Sequence, residues 1–379
     1  HKGGIALGTG LLIGFLCKGY AGLVAPALTA VMVGLCSPHW RTRSFALSLL
    51  EATLLLIVPA ALWLAATGQM GAAWLQVQSA GMTLPSAAGA GYYFKVLAWS
   101  AWPAWPIALW LLWDRRSAIT SPGLLMPLLA ALFSLGVLLA QRDMREVHAL
   151  PLLLPLALLA GAGVPRMRRG AANALAWFGA MCFTFFGALV WLGWFAMQTG
   201  TPATIARNFQ KLEPGHVVVF EWWPFLCAAF LTLAWIYVLA RSERSVFRGV
   251  LFWACGATLV WGLVMTLWLS WIDYGKSYQA VAESLDAARR QLDPAGRQCI
   301  RSVDLGESQR AALDYHADIQ TVRTESSPNV QCALMLVQAR PDDEDRELAG
   351  QWRRVWEGSR PRDRERYRLY QRMDPRTPQ

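Results

Sequence analysis

Nine runs of almost uninterrupted apolar residues dominate the chain, near residues 3–17, 19–36, 45–66, 96–113, 121–140, 147–164, 171–197, 223–240 and 249–271. About 20 mainly apolar residues cross a bilayer as a helix, the form in which every main-chain polar group is satisfied without water. Runs of this length and number predict a mainly α protein, a bundle of about nine transmembrane helices over residues 1–271. The first two runs are short, and joined they would make an over-long span. A tight hairpin around Lys18-Gly19 is therefore expected.

Charge follows the same division. From Lys2 to Trp271 there are 17 Lys/Arg and 7 Asp/Glu, whereas Ile272 to Gln379 holds 18 of each. The net charge of +10 belongs wholly to the apolar part. A nucleic-acid binder gathers its basic residues into a stripe or patch on a soluble surface, so no nucleic-acid partner is expected.

Instead, ten arginines fall in four short loops (Arg41/Arg43, Arg115/Arg116, Arg166/Arg168/Arg169, Arg241/Arg244/Arg248), against four basic residues in the three alternate loops. Short cytoplasmic loops retain Lys and Arg. This predicts a multi-pass protein of a bacterial inner membrane, with loop 67–94, turn 141–146, loop 199–222 and the tail in the periplasm. Eighteen of the 20 tryptophans lie in the membrane part, several near run ends, where indole rings favour the interface. A chain that opens at His1, directly on an apolar run, is also expected to have lost a preceding segment.

Residues 272–379 change period and predict a small soluble α/β domain. Helices are expected over Ser277–Leu292, Glu307–Tyr315 and Asp342–Trp356, and strands over Cys299–Val303, Ala333–Val337 and Tyr367–Tyr370, the last at a sheet edge. The end beyond Met373 reads as disordered. Cys299 and Cys332 both open predicted strands in a compartment that permits disulfides, so they are expected to pair; two free core thiols is the alternative.

No phosphate-binding glycine loop, nucleophile elbow or metal-ligand spacing is present. The chemistry-bearing residues gather instead at one membrane face. Lys18 interrupts two apolar runs, where an ammonium must reach water or an anion; it either snorkels or clamps a lipid phosphate. The turn Gln141-Arg142-Asp143-Met144-Arg145-Glu146-Val147-His148 offers two guanidinium forks suited to phosphate, or a self-neutralising ion-pair turn. Tyr92-Tyr93-Phe94-Lys95, with Trp99, Trp102-Pro103 and Trp105-Pro106, could line a sugar-sized cavity or form an ordinary aromatic belt. Glu51 is the one acid well inside a run and reads as a packing or interfacial residue.

Three of these segments, in order, resemble a known family. Gly8 to Pro26 (GTGLLIGFLCKGYAGLVAP) resembles the glycine-rich run and Leu-Thr-Lys-Gly signature of polyprenyl-phosphate-sugar-dependent glycosyltransferases. That family includes the bacterial aminoarabinose transferases acting on lipid A and the protein O-mannosyltransferases. Arg145-Glu146-Val147-His148-Ala149-Leu150-Pro151, followed by Pro155-Leu156-Ala157-Leu158-Leu159, resembles its Lys-Arg-Glu-Val-Tyr-Leu-Leu-Pro segment. Tyr92-Tyr93 to Trp105-Pro106 resembles its Tyr-Tyr…Pro-Trp segment. Cys17 and His148 stand where the family has Thr and Tyr, and loop 67–94 carries none of the charged residues often found there.

The resemblance implies a GT-C fold and transfer of a sugar from an undecaprenyl-phosphate carrier to lipid A, another lipid or a protein. It implies donor-phosphate binding by Lys18, Arg142 and Arg145, and a substrate cavity with Tyr92, Tyr93, Lys95, Trp102 and His148. The catalytic carboxylate of such enzymes lies in a first extracytoplasmic loop that this sequence does not contain, so the catalytic residues stay unassigned. The resemblance admits a divalent metal but names no ligand for it. The alternatives are a transporter of lipids or lipid-linked sugars, and a non-catalytic paralogue that only binds the carrier lipid. Transporters keep paired repeats and midplane charges, and neither is evident here.

Overall fold

The computed structural model describes residues 2–84, 86–294, 298–324, 331–339, 351–361 and 363–373. They form two compact units, residues 1–175 with 244–249, and residues 176–243 with 250–379.

The first unit contains α1 (Lys2–Cys36), α2 (Arg43–Thr67), α3 (Gln69–Ala80), α4 (Ala87–Ser100), α5 (Ala104–Asp114), α6 (Pro122–Leu139) and α7 (Leu150–Gly163). α1 is two helices folded back on each other. Lys18 (φ −140°, ψ 18°) and Gly19 (φ 56°, ψ −137°) leave the helical region between them. A Cβ built on Gly22 would stand 2.2 Å from the Gly14 carbonyl oxygen. Eight residues along a continuous helix span about 12 Å, so this approach requires a hairpin. Glu51 lies on α2 against Gly4 of the first hairpin arm, at a helix-packing position.

The fourth apolar run departs from expectation. It is not a straight span but two helices, α4 and α5, bent by 97° at residues 101–103. Proline lacks the N–H that would continue the ladder, and Pro103 stands at this break. Loop 67–94 likewise contains all of α3 and the first turns of α4. Among the described residues seven helices are long and apolar enough to cross a membrane, eight if the bent pair is one span. The first of these, α1, supplies both arms of the hairpin. The chain is a multi-pass membrane protein.

The second unit holds α8 (Arg169–Thr199, from Ala176 onward), α9 (Ala203–Leu212), α10 (Trp222–Arg241), α11 (Arg248–Leu267, from Val250 onward) and α12 (Leu269–Lys276). Helices α8, α10 and α11 interleave through Val190, Ala228, Trp235, Leu259 and Leu263. Indole N–H groups tie them together: Trp191 donates to Thr232 Oγ1 (3.0 Å), Trp235 to Thr184 Oγ1 (3.1 Å) and Trp268 to the Val190 carbonyl (3.0 Å). Such bonds hold apolar helices together where burial alone gives no preference over lipid.

The tail adds α13 (Gln279–Leu292) and α14 (Glu307–Ala317) to a five-stranded sheet of β1 (Ile300–Val303), β2 (Thr321–Arg323), β3 (Leu334–Ala339), β4 (Trp352–Gly358) and β5 (Arg366–Arg372). The order is β2-β1-β3-β5-β4, with β1 parallel to β2 and β3 and the remaining pairs antiparallel. Val281, Leu285, Ile300, Leu313, Leu334, Leu336 and Leu369 form its core.

Two expectations for the tail are corrected. Residues 352–356 are strand, not helix; residues 342–350 of the expected helix lie outside the described residues, as does the end beyond Met373. Residues 367–370 belong to an interior strand, paired on both sides, because β4 covers it. Cys299 and Cys332 are joined in a disulfide, with Cα atoms 5.2 Å apart.

Candidate functional site

The first unit's candidate site is assembled from three chain reversals. The hairpin turn at Lys18-Gly19 packs on α3: a Cβ on Gly19 would stand 2.7 Å from Gln78 Cγ, and Phe15 meets Trp74 edge to face at 5.6 Å. Only glycine accepts both that contact and the positive φ. Just past α3, the main chain pairs with the end of α6. Thr83 N–H donates to the Ala140 carbonyl (2.7 Å) and Arg142 N–H to the Gly81 carbonyl (2.9 Å). These bonds fix turn 140–148 beside the hairpin.

Within that turn Asp143 is the organising residue. Its carboxylate meets Arg145 Nε at 2.5 Å, and its carbonyl lies 3.0 Å from His148 Nδ1. Lys18, half-buried at the hairpin turn, is within electrostatic reach of both Arg145 and Asp143, and His148 is within reach of Lys18. Below them Tyr93 is 1% exposed. Its hydroxyl lies against the Arg145 main chain without completing a hydrogen bond, and its ring meets Tyr92 edge to face at 5.2 Å.

The structure thus brings Lys18, Arg145, His148 and Tyr93 together. Arg142 joins through its main chain, and its side chain is exposed. Tyr92 and Lys95 line a neighbouring open cavity of about 820 Å³ with Trp99, Glu146 and Leu150. Trp102 is not among its lining residues; it sits at the α4–α5 corner, edge to face with Trp105 at 6.1 Å. Asp143 and Glu146 gain a place that residue type alone did not single out. The signal was their presence in a turn with two arginines.

Lys18 and Arg145 come from separate parts of the chain, and Asp143 pairs with Arg145. Among the described residues no three His, Cys, Asp or Glu side chains converge as metal ligands.

The fold defines a multi-pass helical membrane protein whose C-terminal residues form a small α/β domain. The chain has the fold of ArnT from Cupriavidus metallidurans. Against its crystal structure in the apo state the TM-score is 0.57 at 15% identity, covering 95% of this chain and 66% of that one. Against the structure bound to undecaprenyl phosphate the TM-score is 0.50, also at 15% identity, covering 97% of this chain and 65% of that one. The chain therefore spans just under two-thirds of the length of these structures. No family model and no curated protein matches the sequence.

Proposed function

We propose that this chain is part of a membrane glycosyltransferase that moves a sugar from an undecaprenyl-phosphate carrier to a lipid, such as lipid A, or to a protein. The reaction takes place at the periplasmic face of the bacterial inner membrane, where the C-terminal domain also lies. Lys18, Arg142 and Arg145 hold the donor phosphate, with His148 beside them, and Tyr92 and Lys95 face the sugar or acceptor. What carries the reading is that Lys18, at the hairpin turn, lies within electrostatic reach of Arg145 and His148 of a distant turn. The fold shared with a protein crystallised with undecaprenyl phosphate adds to it.

In such a transfer the bond between the sugar's anomeric carbon and the phosphate oxygen breaks while a bond to the acceptor oxygen forms. The electron pair leaves on the phosphate, and the acceptor proton passes to a base. Cations already in place stabilise the phosphate charge as it develops, without reorganising at the moment of reaction. The test is transfer of labelled sugar from an undecaprenyl-phosphate donor by the full-length protein in bilayers. Carrier binding without any transfer would leave the carrier-binding alternative standing, and failure to bind the carrier would remove the reading.

A further inference from the structure

The second unit contains a cavity of about 550 Å³ lined by none of the residues assigned above to the transfer reaction. It is walled by the last turn of α8, the start of α10 and the α11–α12 junction, so it opens where three spans end. Trp194, Trp223 and Trp271 supply aromatic walls, and Glu221 and Asp273 are the acids among its polar lining residues, beside His216, Gln198, Thr266 and Ser270. Among the described residues lining it there is no Lys or Arg.

The walls are braced. Trp194 packs against Trp191 and Phe225, each at 5.6 Å. Trp271 meets Phe209 at 5.0 Å and donates to its carbonyl (3.4 Å). His216 is held by Ser270 Oγ at 3.1 Å from Nε2 and by the edge of Tyr274. Tyr274 in turn donates to the Pro214 carbonyl at 3.1 Å, fixing the loop that presents His216.

Carboxylates beside indole rings, with no basic residue among them, favour a cation that can also donate hydrogen bonds. Anionic headgroups are disfavoured by the same charges. Next to the cavity runs a strip of exposed apolar residues: Val217 (77%), Val219 (65%), Trp222 (68%) and Trp223 (79%). So much apolar surface at the ends of spans fits acyl chains and the membrane interface rather than a water-borne solute. From this combination we propose that the cavity binds a membrane lipid with a primary ammonium headgroup, its ammonium between Glu221 and Asp273 and its chains along the 217–223 strip.

The inference is independent of the transfer reaction. It is tested by native mass spectrometry of the full chain, released from detergent with phosphatidylethanolamine, its N-acetylated form or phosphatidylglycerol. Phosphatidylethanolamine should be retained about tenfold better than either of the others, the size expected of a hydrogen bond to a charged group. The isosteric double variant Glu221→Gln/Asp273→Asn should lose that preference while keeping the wild-type size-exclusion profile. Equal retention of the three lipids by the wild-type chain overturns the proposal, and so does an unchanged preference in the folded double variant. Should the variant fail to fold, the three-lipid comparison on the wild type decides alone. Displacement of phosphatidylethanolamine by millimolar free glucosamine would make the ligand a soluble amine and would also overturn the lipid assignment.

Discussion

Gly14 and Gly22 face each other across the first helical hairpin so closely that a Cβ on Gly14 would lie 2.7 Å from the Gly22 carbonyl oxygen. Both contacts are with backbone, which has no flexible end to move aside. Gly22→Val should therefore pry the arms apart, at a cost of about 1–3 kcal/mol, the usual range for overpacking. A thermal-unfolding series of the purified protein checks it. Gly10→Ala is the control, since a Cβ there meets nothing within 4 Å, and it should change little.

The hairpin turn carries Lys18 to Arg145, and their substitution tests the donor-phosphate site. Lys18→Ala, Arg142→Ala and Arg145→Ala should each reduce donor use about ten- to a hundredfold, with membrane insertion intact. Arg145→Lys should also lose activity if two phosphate oxygens are held, since an ammonium offers only a point charge. Steady-state transfer assays on the full-length protein measure this. Near-wild-type turnover by all three alanine variants would reduce these residues to helix-end anchors.

Asp143 gives the opposite expectation for binding. It pairs with Arg145 and offsets its charge. Asp143→Asn should strengthen retention of the bare carrier phosphate, measured by equilibrium binding, by up to about tenfold. Weaker retention would assign Asp143 to positioning His148 instead.

The disulfide between Cys299 and Cys332 ties the start of β1 to the residues preceding β3, closing a loop of sequence separation 33. Its removal by Cys299→Ala/Cys332→Ala should lower the tail's local stability by about 2–4 kcal/mol. Hydrogen exchange of the β1 and β3 amides reads this directly.

Acid should loosen the same domain. Burial alone would raise the Asp286 carboxyl, but hydrogen bonds and charge from Arg289 and Arg290, each at 2.7 Å, hold it below its ordinary value. A carboxyl depressed on folding contributes stability that is present above its unfolded pKa, near 4, and is lost as pH falls through the lower folded value. Asp286→Asn should cost about 1.5–3 kcal/mol at neutral pH and progressively less below pH 4. Hydrogen exchange of α13 across that range checks the sign.

Much of the membrane architecture was legible because lipid imposes one rule on every span, and an apolar run of sufficient length satisfies it. The hairpin was legible for a related reason: a lysine between two short runs must return to water. The fourth run misled because hydropathy averages over a break. Its tryptophans and alanines are as apolar at a corner as in a straight helix. Trp102 accordingly moved away from the cavity that Tyr92 and Lys95 line.

In the tail, four acids at residues 342–345 suggested a helix start and carried the assignment through to Trp356. The strand signal in Trp352–Gly358 is weak, since β4 alternates imperfectly and has a register shift between Arg354 and Trp356. Strand β5 looked like an edge because Tyr367–Tyr370 alternates, with a charged Arg368 among its residues. Arg368 is nonetheless 6% exposed, with its charge met by Glu357 on β4 at 3.2 Å. A cross-strand partner that lets a charge be buried cannot be found from one strand's sequence. Nor could the role of Asp143, whose contacts with Arg145 and His148 depend on how tightly the turn closes.

Arg360 has a further consequence. Held by Asp363 at 2.5 Å, it lies 4.3 Å above the Tyr278 ring and donates to the Lys276 carbonyl at the end of α12 (3.1 Å). The connection between β4 and β5 is therefore bolted onto the stalk from which the whole domain hangs. Sequence continuity provides one attachment, and this arginine provides a second, on the opposite side of the sheet's connectivity. A hinge needs a single pivot. With two, the domain resists swivelling about residues 276–279, and torque on its far strands is delivered directly into α12.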